Sequence, residues 1–311
     1  MTSMNGEFSI DALLPSDMAQ KAETIGVKKA NLAASKLFVL AILAGAFIAL
    51  GAIFSNTVSA GSISIKGGPD LFSATAALPY GLTRLLAGIA FSLGLILVVV
   101  GGAELFTGNN LIIMAFMSRK ITLKQLLRNW GIVYLGNFVG SILTALIMVA
   151  TNQYLQGNGA IGLAALNTAN AKAGVSFFPA LASGIMCNTL VCLAVWLTYS
   201  ARSTTDKIMA IIPPITAFVA AGFEHCVANM YFIPVGLFIK NWGSASFFET
   251  IGKTAADFAN LTWGNFFIKN LLPVTIGNII GGAIMVGGVY WFVYLRNDHK
   301  SQVSTNGKEL S

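Results

Sequence analysis

The sequence predicts an all-α membrane protein: six transmembrane helices in two inverted halves of three, with the second and fifth helices broken. Three observations predict it. The 311 residues are 55% hydrophobic and only 10% charged, with a mean hydropathy of +0.73, where a soluble domain carries about a quarter charged residues. The charges cluster and leave long apolar runs between them. Two polar motifs recur in the same order, as homologous halves do. An ordinary soluble enzyme is excluded by the composition alone.

Residues 1–36 are polar, mixed in charge and without an apolar core, so they read as a cytoplasmic segment and not as a cleaved signal. Crossing the hydrocarbon layer takes about 20 apolar residues. Runs between charges place spans at 37–58, 85–118, 129–151, 175–200, 208–239 and 270–295. The first repeat then occupies 37–151, the second 152–295, and 296–311 form a tail. Thirteen of the nineteen Lys and Arg fall in 1–36, in the connections around Arg119 to Arg128 and Arg202 to Lys207, and in the tail. The positive-inside rule therefore puts both termini in the cytoplasm. That bias accounts for the net charge of +7, and no basic stripe interleaved with aromatics suggests a nucleic-acid partner.

The first repeated motif is Gly-x-Glu-x4-Asn, as Gly102, Glu104 and Asn109 and again as Gly222, Glu224 and Asn229. The second is Asn-x6-Gly-Asn-x2-Gly, from Asn129 to Gly140 and from Asn270 to Gly281. Three spans per half is an odd number, so the halves must be inverted, an architecture used for transport with the route near the repeat interface. As straight helices the second and fifth runs would reach about 50 Å at 1.5 Å per residue, against a core of about 30 Å. They must break, and the polar motif stands where each break is needed. Freed backbone survives in a membrane only when buried in protein or lining a cavity. Half-helices starting near Leu111 and Met230 are expected to aim their positive ends at an anion.

His225 is the one histidine among the spans. Beside Glu224 and within a predicted break, an ionisable residue is a functional candidate, and imidazole can meet an anion as a cation or hand it a proton. Glu104 and Glu224 are expected to brace the breaks by accepting backbone N–H bonds, with Asn109 and Asn229 beside them. Phe91, Leu95, Leu105 and Phe218 lie near the breaks, and apolar collars there would pass a small, weakly hydrated anion or its neutral acid. Lys172 stands alone between the third and fourth spans, placed to attract anions. A metal or haem site lacks ligands: one membrane histidine, and Cys187 and Cys192 at i, i+5 on different helix faces. With Cys226, these cysteines read as packing residues, and no Gly-x-Ser-x-Gly supports a hydrolase.

At these motifs the chain resembles the formate/nitrite transporter family, and most closely its formate channels. The likeness rests on Gly101 to Thr107, on Asn188 with Val191 to Trp196, on Gly222 to His225 and Ala228 to Met230, and on Pro273 to Gly282. It runs from about Leu13 to Arg296. The resemblance implies an aquaporin-like protomer, a homopentamer in a bacterial inner membrane, one pore per protomer and no cofactor. By position it makes His225 the central pore histidine, Thr107 its partner, and Phe91 and Phe218 with Leu95 and Leu105 the constrictions. Asn188 and Asn278 become polar contacts to substrate or loop, Lys172 the anion-attracting lysine, and the segment from about Asp17 to Lys29 a gating helix. The implied activity is passive, bidirectional passage of formate, or of formic acid with its proton. Nitrite, hydrosulfide or lactate on the same scaffold, a neutral-solute pore and a membrane redox subunit are the alternatives. The connection from Ser55 to Pro79 looks longer than the family's usual one.

Overall fold

A computed structural model of the chain describes residues 11–61, 63–66, 73–76 and 78–296. Of the predicted tail, only Arg296 falls within them, and the first ten residues lie outside. Helix α1 (Pro15–Ala30) starts on a proline, whose fixed φ suits the first helical turn. The spans follow as α2 (Ala34–Ser59), α3 (Tyr80–Gly101), α5 (Leu123–Ala150), α7 (Phe177–Ser200), the bent pair α8 (Thr204–Ala221) and α9 (Cys226–Trp242), and a last span, Asn265–Tyr294. Between α3 and α5 a 3-10 turn, Gly108–Ile112, runs into the short α4 (Ile113–Met117).

Several helices extend past the apolar runs that predicted them, because capping decides their ends. Thr122 and Gln125 form a reciprocal capping box, so α5 begins six residues before the apolar run, and its first turns carry charge at the membrane edge. Two elements are additional to the six spans. The long connection holds a two-stranded hairpin, β1 (Ile63–Lys66) paired antiparallel with β2 (Ser73–Ala76), the only strands among the described residues. Helix α6 (Ala160–Ala173) lies between α5 and α7. At 14 residues it spans about 21 Å, too short to cross. It buries Ala165, Leu166 and Ala169, where a Cβ on Gly236 of α9 would sit 2.4 Å from Ala169. A short α10 (Ala245–Ile251) follows α9.

Lipid tails are as apolar as leucine, so helices in a membrane associate by close packing and not by exclusion of water. The chain meets that demand with glycine at equivalent points of each half. A Cβ on Gly140 would lie 2.0 Å from Ile42 O, and one on Gly281 would lie 2.2 Å from Ile185 O. These contacts clamp α5 onto α2 and the last span onto α7. The two helix pairs are thus set by the same residues in the same register, and they flank the two breaks.

Candidate functional site

Both breaks are made by a left-handed glycine. Gly102 ends α3 at φ +83° and Gly222 ends α8 at φ +78°, a region in which a side chain is strained. Each chain then loops inward and re-enters a helix at Gly108 or at Cys226. The restarts come earlier than the expected Leu111 and Met230. His225 is the reason in the second half: it is the N-cap residue of α9, and its Nδ1 accepts the Ala228 N–H at 3.0 Å.

The loops are closed by asparagines from the repeated motif. Asn137 accepts the Phe106 N–H at 2.9 Å and donates to Ala41 O and Glu104 O; Asn278 accepts the Cys226 N–H at 2.9 Å and donates to Gly184 O and Glu224 O. The backbone groups that a break would orphan in the membrane, at several kcal/mol each, are thereby satisfied. A second ring of contacts holds the acids. Glu104 Oε2 takes Lys29 Nζ at 3.0 Å and Asn109 Nδ2 at 2.8 Å, and Asn109 also donates to Asn129 Oδ1. Glu224 takes Lys172 Nζ at 2.8 Å on Oε1 and Asn229 Nδ2 at 2.6 Å on Oε2, and Asn229 donates to Asn270 Oδ1. Asn129 and Asn270 each bond the carbonyl of the lysine that serves their acid, Lys29 and Lys172.

One expectation is corrected here. The carboxylates brace the loops through lysine and asparagine side chains, not backbone N–H groups, because the asparagines of the second motif already bond that backbone. Lys172 is ion-paired with Glu224 and its side chain is 17% exposed. Asn188 and Asn278 are fully buried and bond backbone, Asn188 reaching Thr107 O, Asn110 Oδ1 and Asn278 O. Sequence reasoning passed over Lys29, Asn129, Asn137 and Asn270 as site residues, although three of them stand in the repeated motif. It also passed over Arg84, whose guanidinium bonds Val219 O and Ala220 O at the end of α8. No sequence pattern marked that contact.

Between the loops, His225 Nε2 lies 3.0 Å from Thr107 Oγ1, with both residues buried. The Ala228 N–H can only donate, so Nδ1 is the accepting nitrogen and the ring proton sits on Nε2, facing Thr107. The Thr107 hydroxyl accepts that bond and keeps its own hydrogen to give. Phe218 stacks on the imidazole at 5.9 Å between ring centroids, and Phe91 meets Phe218 edge-on at 5.6 Å.

Two cavities lie near this pair, one beside α6 and one beside α1. The α6-side cavity, about 490 Å³, is lined by Arg84, Phe91, Lys172, Phe218, Glu224 and His225 among others. The α1-side cavity, about 320 Å³, is lined by Lys21, Lys29, Leu95, Glu104, Leu105 and Lys207 among others. Phe91 and Phe218 thus line the cavity that His225 also lines, and Leu95 and Leu105 line the other, each side chain at most 3% exposed. The three cysteines are free and buried.

Known proteins match this chain along most of its length. The family model for the formate/nitrite transporter matches residues 16–292. The chain belongs to the formate/nitrite transporter family. It is 46% identical over 297 residues to the formate channel FocA of Escherichia coli K12, covering 95% of this chain and all of that one. To the formate channel FocA of Haemophilus influenzae it is 42% identical, covering 92% of this chain and 96% of that one. A solved structure described as a pentameric formate channel with formate bound matches with a TM-score of 0.76 at 48% identity, covering 85% of this chain and 98% of that chain. Membership of a transporter family removes the membrane-enzyme alternative.

Proposed function

We propose that each protomer of a homopentamer passes formate, or formic acid with its proton, in either direction across a bacterial inner membrane, with both termini cytoplasmic. The α1-side cavity is then the inner vestibule and the α6-side cavity the outer one. One observation carries the reading: a single imidazole, held on both nitrogens, stands between two apolar pairs where two vestibules meet. The pairs strip water from an entering ion, and only a small, weakly hydrated anion or its neutral acid tolerates that. His225 Nε2–H and the Thr107 hydroxyl then replace lost water as donors to the carboxylate.

The same geometry separates two roles for the histidine. Proton donation by an imidazolium requires a second hydrogen on Nδ1, and that nitrogen already accepts the Ala228 N–H. A neutral ring that offers a hydrogen bond keeps the cap of α9 intact. Helix α1 covers the inner vestibule through Lys21, Ala22, Ile25, Gly26 and Lys29, and in this reading it is the gating segment.

Replacing His225 by Phe and measuring formate uptake into proteoliposomes across pH tests the proposal. The expected outcome is altered flux; unchanged flux would remove His225 from the mechanism. Competition by nitrite, hydrosulfide and lactate in the same liposomes ranks the cargo. Current recording under a pH gradient shows whether a proton accompanies the anion.

A further inference from the structure

We propose that Arg84 is the cation that draws anions into the outer vestibule. The inference deepens the transport reading and rests on it. The family resemblance points to Lys172, but Lys172 Nζ lies 2.8 Å from Glu224 Oε1. An anion approaching that pair meets no net charge. Helix α8 makes the vestibule worse for an anion: it ends at Gly222, on the same cavity wall, and presents the negative end of its dipole, about half an elementary charge.

Arg84 offsets that end directly. Its Nε donates to Ala220 O at 3.3 Å and its Nη2 donates to Val219 O, two of the last carbonyls of α8. A guanidinium has five N–H donors, so these bonds leave others directed elsewhere. The ion pairs among the described residues are Lys29–Glu104, Lys120–Glu23 and Lys172–Glu224, and Arg84 is in none of them. One full positive charge against about half a negative one leaves this wall positive.

Position suits the role. Arg84 lines the outer cavity, and a Cβ on Gly222 would lie 3.4 Å from Nη2, so the guanidinium rests on the break itself. Phe91 is two helical turns further along α3, and Phe218 adjoins Val219 on α8. The cation therefore stands just outside the aromatic pair, where an ion must shed its water. A charge in a low-dielectric cleft raises the local concentration of counter-ions.

The experiment uses the full-length protein in proteoliposomes, with formate presented to the outer vestibule at low ionic strength. Arg84→Gln is expected to raise KM on the order of fivefold with little change in maximal rate, the gap closing at high salt. Arg84→Lys is expected to restore KM. Charge is separated from helix capping in Arg84→Cys. A trimethylammonium methanethiosulfonate adduct carries the charge but has no N–H for the α8 carbonyls, and a sulfonate adduct carries the opposite charge. Both adducts are made on the same folded variant, so any folding defect is common to them. The native thiols are buried, so treated wild type is the control. Low KM with the cationic adduct and raised KM with the anionic one supports the proposal. Equal KM for the two adducts overturns it and leaves Arg84 as a helix cap. A wild type that carries no formate overturns the transport reading as well, which distinguishes the two failures.

Discussion

On the α1 side, Lys29 Nζ bridges Glu104 at 3.0 Å and Asn109 Oδ1 at 2.8 Å. On the α6 side, Lys172 Nζ meets Glu224, and the buried Asn229 Oδ1 has no hydrogen-bond partner among the described residues. The residue types are the same in both braces; the helices that deliver the lysines are held differently. Helix α6 buries Ala165, Leu166, Ala169 and Ala173 in the main core. Helix α1 buries Met18, Ala19 and Ala22 in a small separate cluster, and Lys120 reaches it through the partly exposed pair with Glu23. An inverted repeat thus duplicates the polar chemistry of the breaks without duplicating its anchorage. The α6-side brace is built into the bundle, and the α1-side one depends on a helix docked from the side.

The largest effects should come from residues the two halves use identically. Asn137→Leu orphans the buried Phe106 N–H and Glu104 O, and Asn278→Leu orphans the Cys226 N–H and Glu224 O, at about 1–3 kcal/mol per group. Both variants are expected to lose several kcal/mol and their monodisperse assembly, read by thermal unfolding and size exclusion in detergent. If one survives and the other does not, the halves are not equivalent at their loops.

Smaller losses should separate the braces. Lys172→Met leaves Glu224 buried without its counter-charge and is expected to cost about 3 kcal/mol. Lys29→Met should cost about half that, because the Lys29 side chain is 27% exposed and water can reach Glu104. Thermal unfolding measures both, and Glu224→Gln or Glu104→Gln in the same chain should recover most of each loss. Equal costs would break the contrast drawn here.

The smallest effect concerns how α1 docks. Burial, then the charges of Arg202 and Lys207, hold the Lys21 ammonium below its usual value. A lysine whose docked pKa is depressed binds fewer protons docked than free, so docking strengthens as pH rises from that lowered value toward 10.5. Protease protection of α1 should increase across that alkaline window, and Lys207→Gln should reduce the slope. A flat profile would mean that α1 is anchored as firmly as α6.

The halves and their breaks were legible because each motif combines a glycine that permits the turn with polar residues that only a break would tolerate in lipid. Phe91, Phe218 and His225 line one cavity, Leu95 and Leu105 line the other, and Thr107 bonds His225. What the carboxylates hold was not legible. Lys29 and Lys172 are 75 and 52 residues from their acids, on helices with no strong apolar signal, and only folding brings them there. The contacts of Arg84 run to backbone carbonyls, which carry no sequence signature. Helix α6 is too short and too mixed in composition to stand out among six longer apolar runs.

The glycine clamps at Gly140 and Gly281 have a mechanical consequence. With backbone against backbone, each helix pair is a stiff strut that tilts as a unit when a bilayer thins or thickens. The gap between threonine and imidazole is set by the asparagines hung from these struts, so changes in lipid length are taken up at the perimeter. The contact between Thr107 and His225 is in this way insulated from the elasticity of the sheet in which it floats.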